Sequence, residues 1–261
     1  MKAPEPTPLR LGDGPFVFRG KPPVISGNVE LINDSAEKAK VRAIPTARGR
    51  EGAIAREGFG ELRLAARLEP GTRERVAAHF AVAPTTPPGR YTTELDLGDR
   101  RVPVVAHVFE KREVVLAPDP VELRGAPGDV LTHALVITNA GNVAQTLPEA
   151  ALAHMEERDW FGRSMVYALR EAGPDEGHVK YLDRVLKEIR ATDVAPVRVE
   201  IRDGGTEVAP GQTVETALTL TIPDKFVKGR TYVRDVPFMG TTLTVEIECN
   251  GSTKSTKRRP S

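Results

Sequence analysis

Few side chains in this sequence could do chemistry, and their spacing argues mostly against it. Five histidines are spread along the chain. His79 and His107 sit between apolar neighbours in alternating segments, which points them to solvent. His133 is in phase with Leu135 and Ile137, which predicts partial burial with a backbone partner. His154 with Glu157 would share a helix face, and His178 lies near Asp175 and Asp183. A metal ion needs three or four such groups converging, and spacing supplies only pairs, so no metal site and no cofactor is expected. Asp13, Asp34, Asp99 and Asp203 fall at turns, where an aspartate side chain bonds local backbone. They do not form the dense ligand ladder of a calcium loop. Gly162-Arg163-Ser164-Met165-Val166 begins like a nucleophile elbow but lacks the closing glycine and follows no predicted strand; Ser164 is read as a helix-opening serine. The single cysteine, Cys249, is in phase with Leu243, Val245 and Ile247 and is read as a small buried hydrophobe. With no phosphate loop and no dinucleotide or metalloprotease motif, no catalytic residue is assigned and the chain is expected not to be an enzyme.

The elements that would carry these residues are mostly strands. Phe16 and Phe18, Val29 and Leu31, and Leu62, Leu64, Ala66 and Leu68 alternate with polar residues. So do Val76, Ala78, Phe80 and Val82, then Tyr91, Thr93, Leu95 and Leu97, then Val102, Val104, Ala106 and Val108. Alternation of this kind puts one sheet face on a core and the other in water. Turns at Pro70-Gly71, Pro87-Pro88-Gly89 and Gly98-Asp99 recur at the spacing of an antiparallel β-sandwich. The content of 22 prolines and 23 glycines with 5% aromatics suits many short strands.

The pattern occurs twice. Leu68-Glu69-Pro70-Gly71, a strand, Pro84 and Gly89-Arg90-Tyr91 return 140 residues later as Val208-Ala209-Pro210-Gly211, a strand, Pro223 and Gly229-Arg230-Thr231-Tyr232. Leu135, Ile137 and Asn139 answer Val29, Leu31 and Asn33 at an offset of only 106, so the second copy carries 34 extra residues between Asn142 and Val208. That stretch alone has helical period. Pro148 to Arg158 fits a first helix, and Arg163 to Ala172 a second, closed by Gly173 and Pro174. Val179, Leu182, Val185, Leu186 and Ile189 fit the apolar face of a third. The expected organisation is a first domain over 9–112, a second over 113–249 with a helical insertion at about 148–194, and a polar, basic, disordered tail at 250–261.

Trp160-Phe161 falls at the break between the first two predicted helices. Exposed, the pair would be an interface hot spot; buried, it would staple the insertion to the sandwich, which is the favoured reading. With Tyr167 and Tyr181 these aromatics form the candidate partner-binding set. Lys254 and Lys257-Arg258-Arg259 lack interleaved aromatics, which argues against single-stranded nucleic acid, and a net charge of +1 gives the chain no general attraction to nucleic acid or membrane. No segment reaches the roughly 18 to 20 apolar residues of a membrane span. Met1 to Pro8 has no apolar stretch of a signal peptide. The expectation is a cytoplasmic protein, or a secreted or periplasmic one if a leader was removed.

A strand ending in Asn33-Asp34-Ser35 or Asn139-Ala140-Gly141-Asn142, then a Pro-Gly turn, an alternating strand, a proline and a Gly-x-Tyr element resembles bacterial Ig-like domains of the NEW3 and fibronectin-like kind. Gly128-Asp129-Val130 and Val136-Ile137-Thr138 add to the likeness, which covers most of 9–249 outside the insertion. It implies an all-β chain of two tandem Ig-like sandwiches, the second with an α-helical insertion. It further implies an accessory role, as a structural or adaptor subunit contacting protein partners in a multi-subunit assembly. A carbohydrate or cell-surface binding module is the first alternative, with Trp160 as its platform. An enzyme with an inter-domain site using His154 and His178 is the second.

Overall fold

A computed structural model of the chain describes residues 9–46, 59–97, 100–173, 177–191 and 195–250. It is predominantly β, with two helices. The described residues form two compact units, the first running to Arg112 together with 140–144 and 209–211, the second made from the rest beyond Glu113. The predicted turn at Gly98-Asp99, Pro174 and Asp175, and the tail from Gly251 lie outside the described residues.

The first unit comprises β1 (Leu9–Leu11), β2 (Phe16–Gly20), β3 (Val24–Asn33), β4 (Ala39–Pro45), β5 (Glu61–Leu68), β6 (Arg73–Ala81), β7 (Gly89–Asp96) and β8 (Arg101–Val108). They hydrogen-bond in the order β4-β5-β6-β3-β2-β8-β7, with β1 paired to β3. All neighbours are antiparallel except β2 and β8. The alternating residues point inward: Phe18, Val29, Leu31, Leu62, Phe80 and Val104 are fully buried. Phe18 meets Phe80 edge to face at 4.9 Å, a geometry the ring quadrupoles favour.

The second unit comprises β9 (Val114–Ala117), β10 (Val121–Gly125), β11 (Val130–Asn139), β12 (Gln145–Thr146), β13 (Ala150–Glu157), α1 (Trp160–Arg170), α2 (His178–Ala191), β14 (Ala195–Ile201), β15 (Glu207–Val208), β16 (Thr213–Thr221), β17 (Arg230–Phe238) and β18 (Thr241–Cys249). Eight strands join in the order β10-β18-β17-β13-β14-β16-β11-β9, and β12 pairs separately with β15. Leu135, Ile137, Met155, Val245, Ile247 and Cys249 are fully buried in its core.

The ladders recur at the offsets read from the sequence. Val29 opposes Val76 in β3–β6, and Leu135 opposes Thr216 in β11–β16. Each unit also has a parallel pair, in which β2–β8 sets Gly20 against Val108 and β10–β18 sets Gly125 against Cys249, one residue away from each of those offsets. The Pro-Gly signature also acquires a physical role. Asn33 ends β3 fully buried, and its Nδ2 donates to the carbonyls of Glu37 at 2.8 Å, Leu68 at 3.3 Å and Glu69 at 3.1 Å. Its Oδ1 accepts from the backbone N–H and hydroxyl of Ser35 at 3.1 and 2.7 Å. Asn139, equally buried, donates to the carbonyl of Val208 at 2.9 Å and accepts from Gln145 at 3.2 Å. Each asparagine ties the end of its strand, β3 or β11, to the residue that opens the Pro-Gly turn. Gly71 and Gly211 adopt φ of 67° and 77°, the left-handed conformation that a turn with proline just before it requires of its glycine.

The Gly-x-Tyr element closes each unit in a related way. The Tyr91 hydroxyl donates to the carbonyl of Pro87 at 2.7 Å, and the Tyr232 oxygen accepts from the Val227 N–H at 2.9 Å. In both, the ring bridges back to backbone a few residues upstream, the device of a tyrosine corner.

The expected helix over Pro148 to Arg158 is instead strand β13. Ala, Leu, Met and Glu are strong helix formers, yet Ala151 and Ala153 pair with Val199 and Val197, and Glu156 and Glu157 then switch to β17. Sheet pairing on both sides overrides local preference. Ala153, Met155 and Glu157 therefore face inward while Leu152, His154 and Glu156 do not. Among the described residues the helices occupy Trp160–Arg170 and His178–Ala191, and Trp160-Phe161 opens α1 rather than separating two helices.

Candidate functional site

The end of β13 and the start of α1 bring together residues far apart in sequence. Period 2 turns Glu157 inward, and a carboxylate there must find cations or lose its charge. Arg230, at the start of β17, donates to its Oε2 at 2.9 Å. Arg163, one turn into α1, forms an ion pair with Oε1. Burial lowers the proton affinity of Arg163, and the neighbouring charge of Arg230 lowers it further. A cavity of about 260 Å³ opens beside this cluster, walled by Trp160, Tyr167, Phe226 and Tyr232. Phe226 and Tyr232 stack with centroids 3.6 Å apart and planes 11° apart, forming a rigid floor. The Ser164 hydroxyl, buried, donates to the Trp160 carbonyl at 2.9 Å, an ordinary intrahelical bond.

Of the four predicted partner-binding residues, the structure brings Trp160 and Tyr167 to this cavity. Phe161 packs edge to face on Trp160 at 5.8 Å but is 52% exposed. Phe161 does not staple α1 to the sheet, while half-buried Trp160 does contribute a wall. Tyr181 is half-buried on α2.

The helices present apolar residues outward. Phe161, Met165 and Leu169 are exposed at intervals of four on α1, and Val179, Leu182 and Leu186 at intervals of three and four on α2. Leu169 is 65%, Val179 74% and Leu182 56% exposed. Among the described apolar side chains of the two helices only Ala168 and Val185 are buried. The face predicted for the third helix thus exists, but much of it is left exposed by the described residues.

The remaining candidates lie apart. His79, His154 and His178 are exposed and His107 is half-buried. His154 and Glu157 point to opposite faces of β13, so the expected helical pair does not form. His133 is half-buried with Nδ1 at 2.7 Å from the Ala134 carbonyl. Asp13 pairs with Arg100 at 2.6 Å, which lowers its proton affinity by hydrogen bonding and by charge. Asp34 pairs with Arg10, and Asp203 holds a left-handed turn. Among the described residues no three His, Cys, Asp or Glu side chains come together to hold a metal ion, and no helix is long and apolar enough to cross a membrane. Cys249 is fully buried, and burial raises its thiol pKa.

No family model matches the sequence, the NEW3-type family included, and no curated protein matches it. Solved structures do align along most of its length. A Porphyromonas gingivalis protein of unknown function is 12% identical, covering 93% of this chain and all of its own, at a TM-score of 0.26. The Pseudomonas aeruginosa CupB2 chaperone is 10% identical over 91% of this chain and 98% of its own, TM-score 0.25. A titin domain pair crystallised with telethonin is 10% identical over 94% and 98%, TM-score 0.24. Likeness at this level assigns neither family nor function.

Proposed function

We propose that this chain is a non-enzymatic structural or adaptor subunit, built from two tandem Ig-like β-sandwiches, whose helices α1 and α2 dock a protein partner. The observation that carries the reading is the uncovered apolar face of the helices. Side chains such as Val179, Leu182 and Leu169 lose hydrophobic stabilisation of about 1.5–3 kcal/mol each when left in water, and covering them on association recovers part of it. The recurring ladders and paired asparagine clamps support the tandem sandwiches. A cytoplasmic setting belongs to the proposal, supported by a lone cysteine and no disulfide framework. The test is cross-linking from probes placed at Val179 and Leu169 in the native cell. A defined partner that is lost on Leu182→Glu/Leu186→Glu supports the reading. It is refuted when probes placed instead on strand edges, at Lys40 in β4 and Val115 in β9, capture the partner while those at Val179 and Leu169 do not.

A further inference from the structure

The cavity beside α1 carries more positive charge than its own acids neutralise. Arg163, Arg230 and Lys225 line it against Glu157 and Glu188. The Glu157 side chain is 9% exposed and lies between guanidiniums that are 23% and 32% exposed. A carboxylate carries one charge and meets two cations there. Each guanidinium has five N–H donors in a planar fork, so two oxygens of Glu157 leave donors of both directed elsewhere. Both guanidinium side chains are more than half covered yet still reach the cavity. An ion-pair cluster that served only to hold α1 on the sheet would need one arginine, not two.

We infer that this cavity is a binding site for a small oxyanion, a carboxylate or phosphate monoester, carried on an aromatic body. The arginine pair sets the charge and the planar donor pattern that carboxylates and phosphates match. The rings of Trp160 and Tyr167 line the cavity beside the arginines, with the buried Phe226–Tyr232 stack behind them, and it is Trp160 and Tyr167 that would meet the body. The volume of about 260 Å³ falls below the roughly 300 Å³ at which drug-sized ligand sites begin, so nothing larger than a single ring with its charged group fits. Burial, and after it the neighbouring charge of Arg230, lowers the proton affinity of Arg163, and a bound anion would offset the second of these. The inference is independent of partner docking and concerns the isolated chain.

Trp160 is the sole tryptophan, so intrinsic fluorescence reads this cavity directly. The full chain is titrated at constant ionic strength with benzoate and with phenyl phosphate. Benzyl alcohol serves as a ring without charge and inorganic phosphate as a charge without a ring. The site predicts a saturable change with benzoate or phenyl phosphate that is weaker by roughly tenfold or more in Arg163→Gln, as expected for loss of a charged hydrogen bond. Arg230→Gln provides the same test should Arg163→Gln fail to fold, and a cooperative melting transition well above the assay temperature qualifies either variant. Equal binding of benzyl alcohol, equal binding of inorganic phosphate, or affinity unmoved by both substitutions overturns the inference. So does the absence of saturation with either aromatic anion.

Discussion

Asn33→Asp replaces one amide NH₂ by an oxygen, and the structure dictates a large effect from that small change. In the native chain this group donates to three carbonyls, those of Glu37, Leu68 and Glu69. Asn33→Ala removes those bonds and the two to Ser35. At about 1 kcal/mol net for each of the better-buried bonds, and less for the rest, the loss is about 2–3 kcal/mol. That corresponds to a fall of roughly 10–20 °C in the melting transition of a unit this size. Asn33→Asp retains the shape but sets a buried negative charge against three carbonyl oxygens. An uncompensated buried charge costs about 3–5 kcal/mol, so the near-isosteric variant is the less stable of the two near neutral pH. Its acid dependence follows. Burial among carbonyls raises the introduced carboxyl above its unfolded value of about 3.9, so the folded state binds a proton that the unfolded state lacks. Stability of this variant relative to wild type therefore rises as pH falls from neutral toward about 4. Scanning calorimetry of the three proteins at several pH values reads this directly. If Asn33→Asp is as stable as Asn33→Ala at neutral pH, or if its deficit does not shrink in acid, the clamp is not what holds the turn.

Two further expectations concern the same scaffold. Tyr232→Phe removes the acceptor for the Val227 N–H and should cost about 1 kcal/mol by urea unfolding, with Tyr91→Phe, whose bond is exposed, costing less. Because burial raises the Cys249 thiol above its ordinary 9.0, the folded state keeps a proton that the unfolded state releases. Stability from this group is complete below pH 9.0 and declines above it; Cys249→Val should flatten that alkaline decline in urea titrations, and an unchanged slope would show that other groups cause it.

The ladders of both units were legible because side-chain period and Pro-Gly turns agree locally: Phe18, Leu31, Leu62 and Phe80 all fall inward as their alternation demands. Residues 150–157 were not legible, since Ala, Leu, Met and Glu favour a helix and only pairing with Val197, Val199 and Val233 decides for strand. The same error hid the candidate cavity. Read as helical, Glu157 is a solvated residue; read as strand, it is in phase with Ala153 and Met155 and must be buried, which calls for cationic partners. Arg230 could not be supplied by spacing, because β17 reaches Glu157 only through the fold. The outward turn of Val179, Leu182 and Leu186 was equally invisible, since an amphipathic pattern does not say which part of its face the chain itself covers.

The central claim is that the helix face is a docking surface, and amide hydrogen exchange of the chain with and without its cross-linked partner tests it most directly. The account predicts that the partner slows exchange across Trp160–Arg170 and His178–Ala191, and that Leu182→Glu/Leu186→Glu abolishes the protection while leaving the sheets' exchange unchanged. Protection confined to the strands, with the helices exchanging as freely as before, would contradict it.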